Sequence, residues 1–436
     1  MALFSTRSLA LKWNWLFFGS GKIVFTEYCN LYMKQLGLNP SQIGFTTLFG
    51  VMHLFLPLLG LLGDRFRARK LIFTAMTPVL FLTSLAPLFP LVVSLPTCFA
   101  KKSESAMNQT GHHSKGYLQS TVNMTTGDVS FNRSSNAFLY SSNEKSDSRF
   151  PLEFAVEEVQ RSTSVPWLST LFIFLAVARS IFTFAEGAFI SFQNLATMAY
   201  LKEKRASYGS YFMWAHIGAS VSLFAVGLLA AHFTLSICGV VEDGYYITFV
   251  WASAAIMLSS FALPWVKYEY LEHRVVSWTE VKCVVFDIQY VIVLILGLFL
   301  GSCCAFQIYW EFWFINELSG SPIIIGLAGL IRRPLVAVWF YLSRHLIEKV
   351  GDLKTVAVAL FLFFFSFLAI SFINISWLFL LIDIFQGAGY GFSYTGLTIH
   401  FSKPGSKASS AVILCMFFFF STFKYFISSI VITLAS

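Results

Sequence analysis

Charge is what this sequence has least of. Only 12% of its 436 residues are Asp, Glu, Lys or Arg, about half of the roughly 25% usual in soluble domains. Hydrophobic residues make up 56%, and the mean hydropathy is +0.69, which excludes a water-soluble fold of this length. Motifs of catalysis are missing too: there is no H-E-x-x-H, no phosphate-cradling G-x-x-x-x-G-K, no G-x-S-x-G and no pair of membrane aspartates suited to intramembrane proteolysis. An enzyme is therefore not expected, and neither is ATP-driven pumping. The cysteines show no paired C-x-x-C spacing of the zinc-binding kind, so no cofactor or metal is implied.

What the chain has is long, unbroken apolar runs. Water cannot satisfy backbone polar groups inside hydrocarbon, so spans are helices or closed barrels, and barrels need alternation that is absent here. Stretches of about 20 apolar residues cross a bilayer core. Eleven such stretches are bounded by charges, prolines or polar clusters: Leu11 to Tyr32, Gly44 to Leu62, Leu71 to Leu95, Trp167 to Leu201, Tyr208 to Phe233, Tyr245 to Val266, Val285 to Phe314, Pro322 to Leu342, Val356 to Ile373, Trp377 to His400 and Ala411 to Leu434. The expected fold class is all-α, a polytopic protein whose first partner is the lipid bilayer.

No small-residue cleavage site follows the first span, so it reads as a retained signal anchor with a cytosolic N-terminus. The positive-inside rule agrees. Arg7, Lys12, Arg65, Arg67, Arg69, Lys70, Lys202, Lys204, Arg205, Lys267, Arg274, Lys282, Arg344, Lys349, Lys354, Lys403 and Lys407 fall on one side, whereas Lys34 alone faces them from the short opposite loops. The formal charge of +8 thus reports topology and calls for no nucleic-acid partner. Localisation is expected in the plasma membrane or an endomembrane.

The one long hydrophilic insertion, 96–165, is rich in Ser, Asn and Thr, with little apolar periodicity. It is expected to be a disordered luminal loop, glycosylated at Asn108, Asn123 and Asn132, each in an N-x-S/T triplet. A further triplet at Asn374 lies too near the membrane. Cys98 and Cys238 both fall in luminal loops, which makes them a candidate disulfide; Cys29, Cys283, Cys303, Cys304 and Cys415 read as packing residues of the spans.

The charged stretch from Lys267 to Lys282 divides the chain. Residues 1–266 form an expected six-helix bundle, 267–284 a central cytosolic loop, and 285–436 a second bundle of about five helices. Repeated halves around a midplane site are a recurring transporter architecture, and an equivalent feature occurs in both. After the second span comes Gly60-Leu61-Leu62-Gly63-Asp64-Arg65-Phe66-Arg67-Ala68-Arg69-Lys70; after the eighth, a shifted echo runs from Ser343 and Arg344 to Gly351 and Asp352.

The first of these loops resembles the signature motif of the major facilitator superfamily, in Gly60, Asp64, Arg65, Arg69 and Lys70. The family's glycine between the bases is Arg67 here. Tyr32-Met33-Lys34-Gln35-Leu36-Gly37 with Pro40 to Gly44, Glu186 with Tyr208-Gly209, Gly320-Ser321 leading to Gly326, and Asp383 before Gln386-Gly387 resemble a branch near the sugar/proton symporters. That resemblance runs from about Trp13 to Ser410, the long loop excluded. Past Ser410 it gives way to Phe417 to Phe420, so eleven spans are expected where the family has twelve, with a luminal C-terminus. It implies two helical bundles rocking about a central site.

Ionisable groups within spans point to function because they are costly there. Lys22 and Glu27 lie five residues apart, about 500° of helix, so they face different partners. Arg179 and Glu186 are two turns apart on nearly one face, and Asn194 falls close to it. This stripe is either a substrate or proton pathway or a buried structural pair. Arg332 and Arg333 precede Pro334, which frees a carbonyl one turn back; Glu311 and Asp383 are their expected counterions, ahead of an anionic substrate. The resemblance makes Asp383 a candidate proton-titrating group. His53 and His216 read as hydrogen-bonded core histidines, and the Phe and Trp abundance as lipid-facing and interfacial material.

Two functions compete. One is a secondary transporter of an unknown small solute by alternating access, proton-coupled through Glu186, Asp383 or Glu311. The other is a non-transporting receptor or scaffold that binds a protein ligand at its luminal loop.

Overall fold

The computed structural model describes residues 6–36, 38, 40–48, 52–53, 55–89, 166–237, 240–268, 286, 288, 290–303, 322–372, 379–402 and 414–416. Helix α1 (Thr6–Gln35) has 30 residues, about 45 Å at 1.5 Å per residue, ample for a hydrocarbon core of about 30 Å. The second expected span is not one helix but two, α2 (Pro40–Leu48) and α3 (Leu56–Arg65). Pro57 sits in the first turn of α3; a residue without an N–H begins a helix more readily than it continues one.

Next come α4 (Arg69–Leu85), which contains Pro78, α5 (Pro166–Leu201) and α6 (Gly209–His232), the last two joined by a 3-10 turn over Lys202–Tyr208. After α7 (Ile247–Ser260) follow α8 (Tyr290–Cys303), α9 (Pro322–Val350), α10 (Asp352–Ser371) and α11 (Phe379–Phe401). Nine of the expected spans each correspond to one of these helices, and the second to α2 and α3 together. Of the eleventh, residues 414–416 are helical and the remainder lies outside the described residues. Among the described residues one small antiparallel ribbon stands between α6 and α7, β1 (Leu235–Ile237) with β2 (Val240–Glu242), in which Leu235 pairs with Glu242.

Four segments, Arg69–Leu88, Thr170–His232, Ile247–Trp265 and Asp352–Ser371, are individually long and apolar enough to cross a membrane. The chain is a multi-pass helical membrane protein. Burial separates inner helices from outer ones. Over half (56%) of the most apolar window in Thr170–His232 is buried against protein, but 28% in Arg69–Leu88 and in Asp352–Ser371. So α5 and α6 line the interior, whereas α4 and α10 turn most of their surface, such as Phe361, Phe364 and Phe365, toward lipid.

Lipid is as apolar as leucine, so helices associate through small residues and hydrogen bonds rather than hydrophobic exclusion. Gly19 lies against Ala215, Gly218 against the Leu16 carbonyl and Gly21 against the Ala252 carbonyl, each too close for a Cβ. These contacts clasp α1 between α6 and α7. A second seam joins α6 to α9: Gly209 abuts the Phe340 carbonyl at one end, and Gly326 and Gly329 abut Leu223 toward the other. Phenylalanine faces both ways: Phe361, Phe364 and Phe365 are exposed, as expected of lipid-facing residues, whereas others pack inside. Phe18 stacks on Phe189 and Phe25 on Phe182, with centroids 4.3 and 3.9 Å apart, because stacked rings bury large areas without needing polar partners.

The signature loop connects α3 to α4. Asp64 is buried and pairs with Arg69; Lys70 donates to the Pro264 carbonyl at 3.3 Å; Arg65 is exposed. Gly60 is buried, and Gly63 leaves room for the Phe192 ring. Arg67, standing where the family has glycine, takes a left-handed φ of 52°, so the tight turn persists without glycine. The echo after α9 turns on Gly351 at φ 93°, with Asp352 against His400 of α11 at 2.8 Å and Arg344 paired with Glu348.

Candidate functional site

The charged side chains inside the helices find partners across the bundle. Lys22 and Glu27 of α1 diverge as their spacing predicts. Lys22 meets Glu186 of α5 at 2.7 Å. Glu27 turns to α9, where it accepts from Arg332 at 3.3 Å and, closer, from Arg333. One carboxylate therefore serves two guanidiniums and ties α1 to α9. The partner described here is Glu27, 305 residues from Arg332, a separation that no helical periodicity reveals. Glu311 lies outside the described residues, as does the side chain of Asp383, whose backbone belongs to α11.

Pro334 sits inside α9, and its missing N–H leaves the Leu330 carbonyl without a helical donor. Ser220 of α6 supplies one at 3.2 Å.

Arg179, Glu186 and Asn194 do share a face of α5, yet they engage different partners: Glu186 pairs with Lys22, and no described contact joins it to Arg179. Arg179 donates through Nη1 to Asn30 of α1 at 2.7 Å and to Thr46 of α2 at 3.2 Å. Asn194 accepts from the Tyr208 hydroxyl and donates to the Tyr394 hydroxyl of α11 at 3.3 Å. Arg205 donates to the Ser402 carbonyl at 2.6 Å. The contacts of Asn194 and Arg205 lie toward the end that carries the basic loops, and two of them, to Tyr394 and to Ser402, join a helix or turn before residue 267 to a segment after it. That end is closed.

Between the ion pairs and this closure stands an aromatic cluster that sequence reasoning missed. His216 of α6 stacks on Phe340 of α9 with centroids 5.0 Å apart, flanked by Phe212 and Tyr390. It is 2% exposed, and its Nδ1 has no hydrogen-bond partner among the described residues. It is therefore not the satisfied core histidine expected from sequence. Arg333, Lys22 and Arg332 all lie within its electrostatic reach. Gln193 and Gln386, fully buried, likewise leave both amide atoms unpartnered among the described residues. The missed signal is the four-residue spacing of Gln386, Tyr390 and Tyr394, which stacks polar heads on one face of α11. His53 is buried against Gly187. Cys29 and Cys415 are buried free thiols, and Cys303 is buried; Cys98, Cys238 and the acceptors Asn108, Asn123 and Asn132 lie outside the described residues.

A helical membrane protein with a polar core at the junction of two helix groups, closed at one end, belongs by architecture to the transporters rather than the enzymes. A model of the MFS_1-like family, within the major facilitator superfamily, matches residues 9–424, and the chain belongs to that family. The match extends past Ser410, where the motif resemblance was expected to end. Solved structures agree on the fold. The proton:xylose symporter XylE, 13% identical, covers 99% of this chain and 88% of its own with a TM-score of 0.61. A bacterial homologue of the iron transporter ferroportin in an outward-facing state, 12% identical, covers 99% and 96% with a TM-score of 0.58. The nucleoside transporter NupG, 11% identical, covers 99% and 92% with a TM-score of 0.55.

Proposed function

We propose that this protein moves a small solute across its membrane by alternating access, two helical bundles rocking about the Lys22, Glu27, Glu186, Arg332 and Arg333 cluster. The observation that carries this reading is that helices from both sides of residue 267 build the cluster, while Asn194, Tyr208 and Tyr394 with Arg205 and Ser402 shut one end. A site shared between bundles and sealed at one end is what reciprocal opening requires. The basic end is taken as cytosolic, with the N-terminus on that side, by the positive-inside bias. The likeness to the domain-containing protein 6 and 6-like branch of the superfamily, near the sugar/proton symporters, favours proton coupling through Glu186, Asp383 or Glu311.

The test is a disulfide across the closed end. In an Arg205→Cys/Ser402→Cys variant, oxidation should fix the basic end shut and raise the labelling of cysteines introduced near the opposite end of α1 by a membrane-impermeant reagent. Reduction should reverse it. Labelling at that end unaffected by the bridge would refute alternating access and leave the receptor reading.

A further inference from the structure

Arg179 differs from every other mid-helix cation whose partners are described. Lys22 has Glu186 at 2.7 Å, and Arg332 and Arg333 share Glu27. Arg179 is 8% exposed, yet its hydrogen bonds go to the neutral oxygens of Asn30 and Thr46, both through Nη1. Among the described residues no carboxylate meets it. An ionised group held away from water needs a compensating charge, and Nε and Nη2 form the edge of the guanidinium that binds a carboxylate with two parallel bonds.

A second guanidinium converges on the same turn of α1. Asn30, which accepts from Arg179, lies three residues from Glu27, which accepts from Arg333, and residues three apart are neighbours on a helix surface. Arg179 comes from the helices before residue 267 and Arg333 from those after it. Arg333 reaches Glu27 through one nitrogen, Nη2. Deeper in the bundle, His216 holds a buried Nδ1 without a partner among the described residues and a ring stacked on Phe340, within electrostatic reach of Arg333. The flanking walls, Phe212, Tyr390 and Tyr394, are aromatic.

We infer that the solute is a small planar monocarboxylate, its carboxylate held between Arg179 and Arg333 and its body against the aromatic cluster. A carboxylate would give Arg179, whose hydrogen bonds go to neutral oxygens, the charged acceptor that no described residue supplies. The inference rests on the transporter reading and gives that site its substrate class.

Three probes of one shape and three charges test it: benzoate, benzamide and benzylammonium, added to the purified full-length protein at matched ionic strength while its thermal unfolding is followed. Benzoate alone should raise the midpoint. Arg179→Gln should weaken that response by about 10- to 100-fold in apparent affinity, the loss of a charge-assisted hydrogen-bonded contact, whereas Arg179→Lys, which keeps the charge but not the fork, should retain part of it. Equal stabilisation by benzamide or benzylammonium, no response to benzoate, or a benzoate response untouched in Arg179→Gln would each overturn the assignment. Should Arg179→Gln fail to fold, the charge preference of the wild type and the partial response of Arg179→Lys still decide it. The two readings fail separately: cysteine labelling that reverses with the bridge, without selectivity for benzoate, keeps the transporter and discards the anion.

Discussion

Replacing Glu27 by Gln removes the carboxylate between α1 and α9 and leaves Arg332 and Arg333 facing a neutral amide. The three side chains are 21%, 13% and 14% exposed, so solvent relieves little of the resulting repulsion. Removing one partner of a buried ion pair costs about 3–5 kcal/mol; the residual exposure argues for the lower end, about 3 kcal/mol. For a cooperative unit of 150–250 residues, close to the size of one bundle, each kcal/mol moves the midpoint by about 2–4 °C. Glu27→Gln is thus expected to unfold about 6–12 °C below wild type when detergent-solubilised protein is heated and tryptophan fluorescence is followed. Removing one guanidinium as well, in Glu27→Gln/Arg333→Gln, should restore much of that loss, because one cation fewer is stranded; the coupling in this double-mutant cycle isolates the pair. A midpoint for Glu27→Gln within 1 °C of wild type, or strict additivity in the cycle, would refute this account of what joins α1 to α9.

Arg67→Gly should raise the unfolding midpoint slightly, because the left-handed backbone that costs an L-residue about 1–2 kcal/mol is free for glycine, offset by roughly 0.5–1 kcal/mol of unfolded-chain entropy; a lower midpoint would mean that the arginine side chain itself contributes. Gly209→Val drives a side chain into the Phe340 carbonyl and should destabilise by about 1–3 kcal/mol through overpacking, visible as loss of monodisperse protein on size-exclusion chromatography, whereas Gly351→Ala, with open space around it, should fail through its φ of 93° alone. Ser220→Ala leaves the Leu330 carbonyl beside Pro334 without its donor and should cost about 1 kcal/mol in thermal unfolding. Once a solute is in hand, Glu186→Gln and Asp383→Asn should flatten the pH dependence of its uptake into proteoliposomes; unchanged profiles in both would remove proton coupling.

The sequence by itself determined that this chain crosses a membrane many times as helices, and nearly where. That information is local: a run of apolar residues without charge has no other solvent, and Arg67, Arg69 and Lys70 mark a loop whatever surrounds them. It also determined that Lys22 and Glu27 part company, since helical pitch alone sends them to different faces. What sequence could not supply was partnership. The ion pair of Glu27 with Arg333, the reach of Arg179 to Asn30 and Thr46, the donation of Ser220 to the carbonyl freed by Pro334 and the stacking of His216 on Phe340 all cross between helices far apart in the chain. Periodicity fixes which face a side chain occupies on its own helix, not which neighbour that face meets. The internal phenylalanine pairs were decided in the same way, by packing, because lipid and protein interior are equally apolar and leave the same imprint on composition.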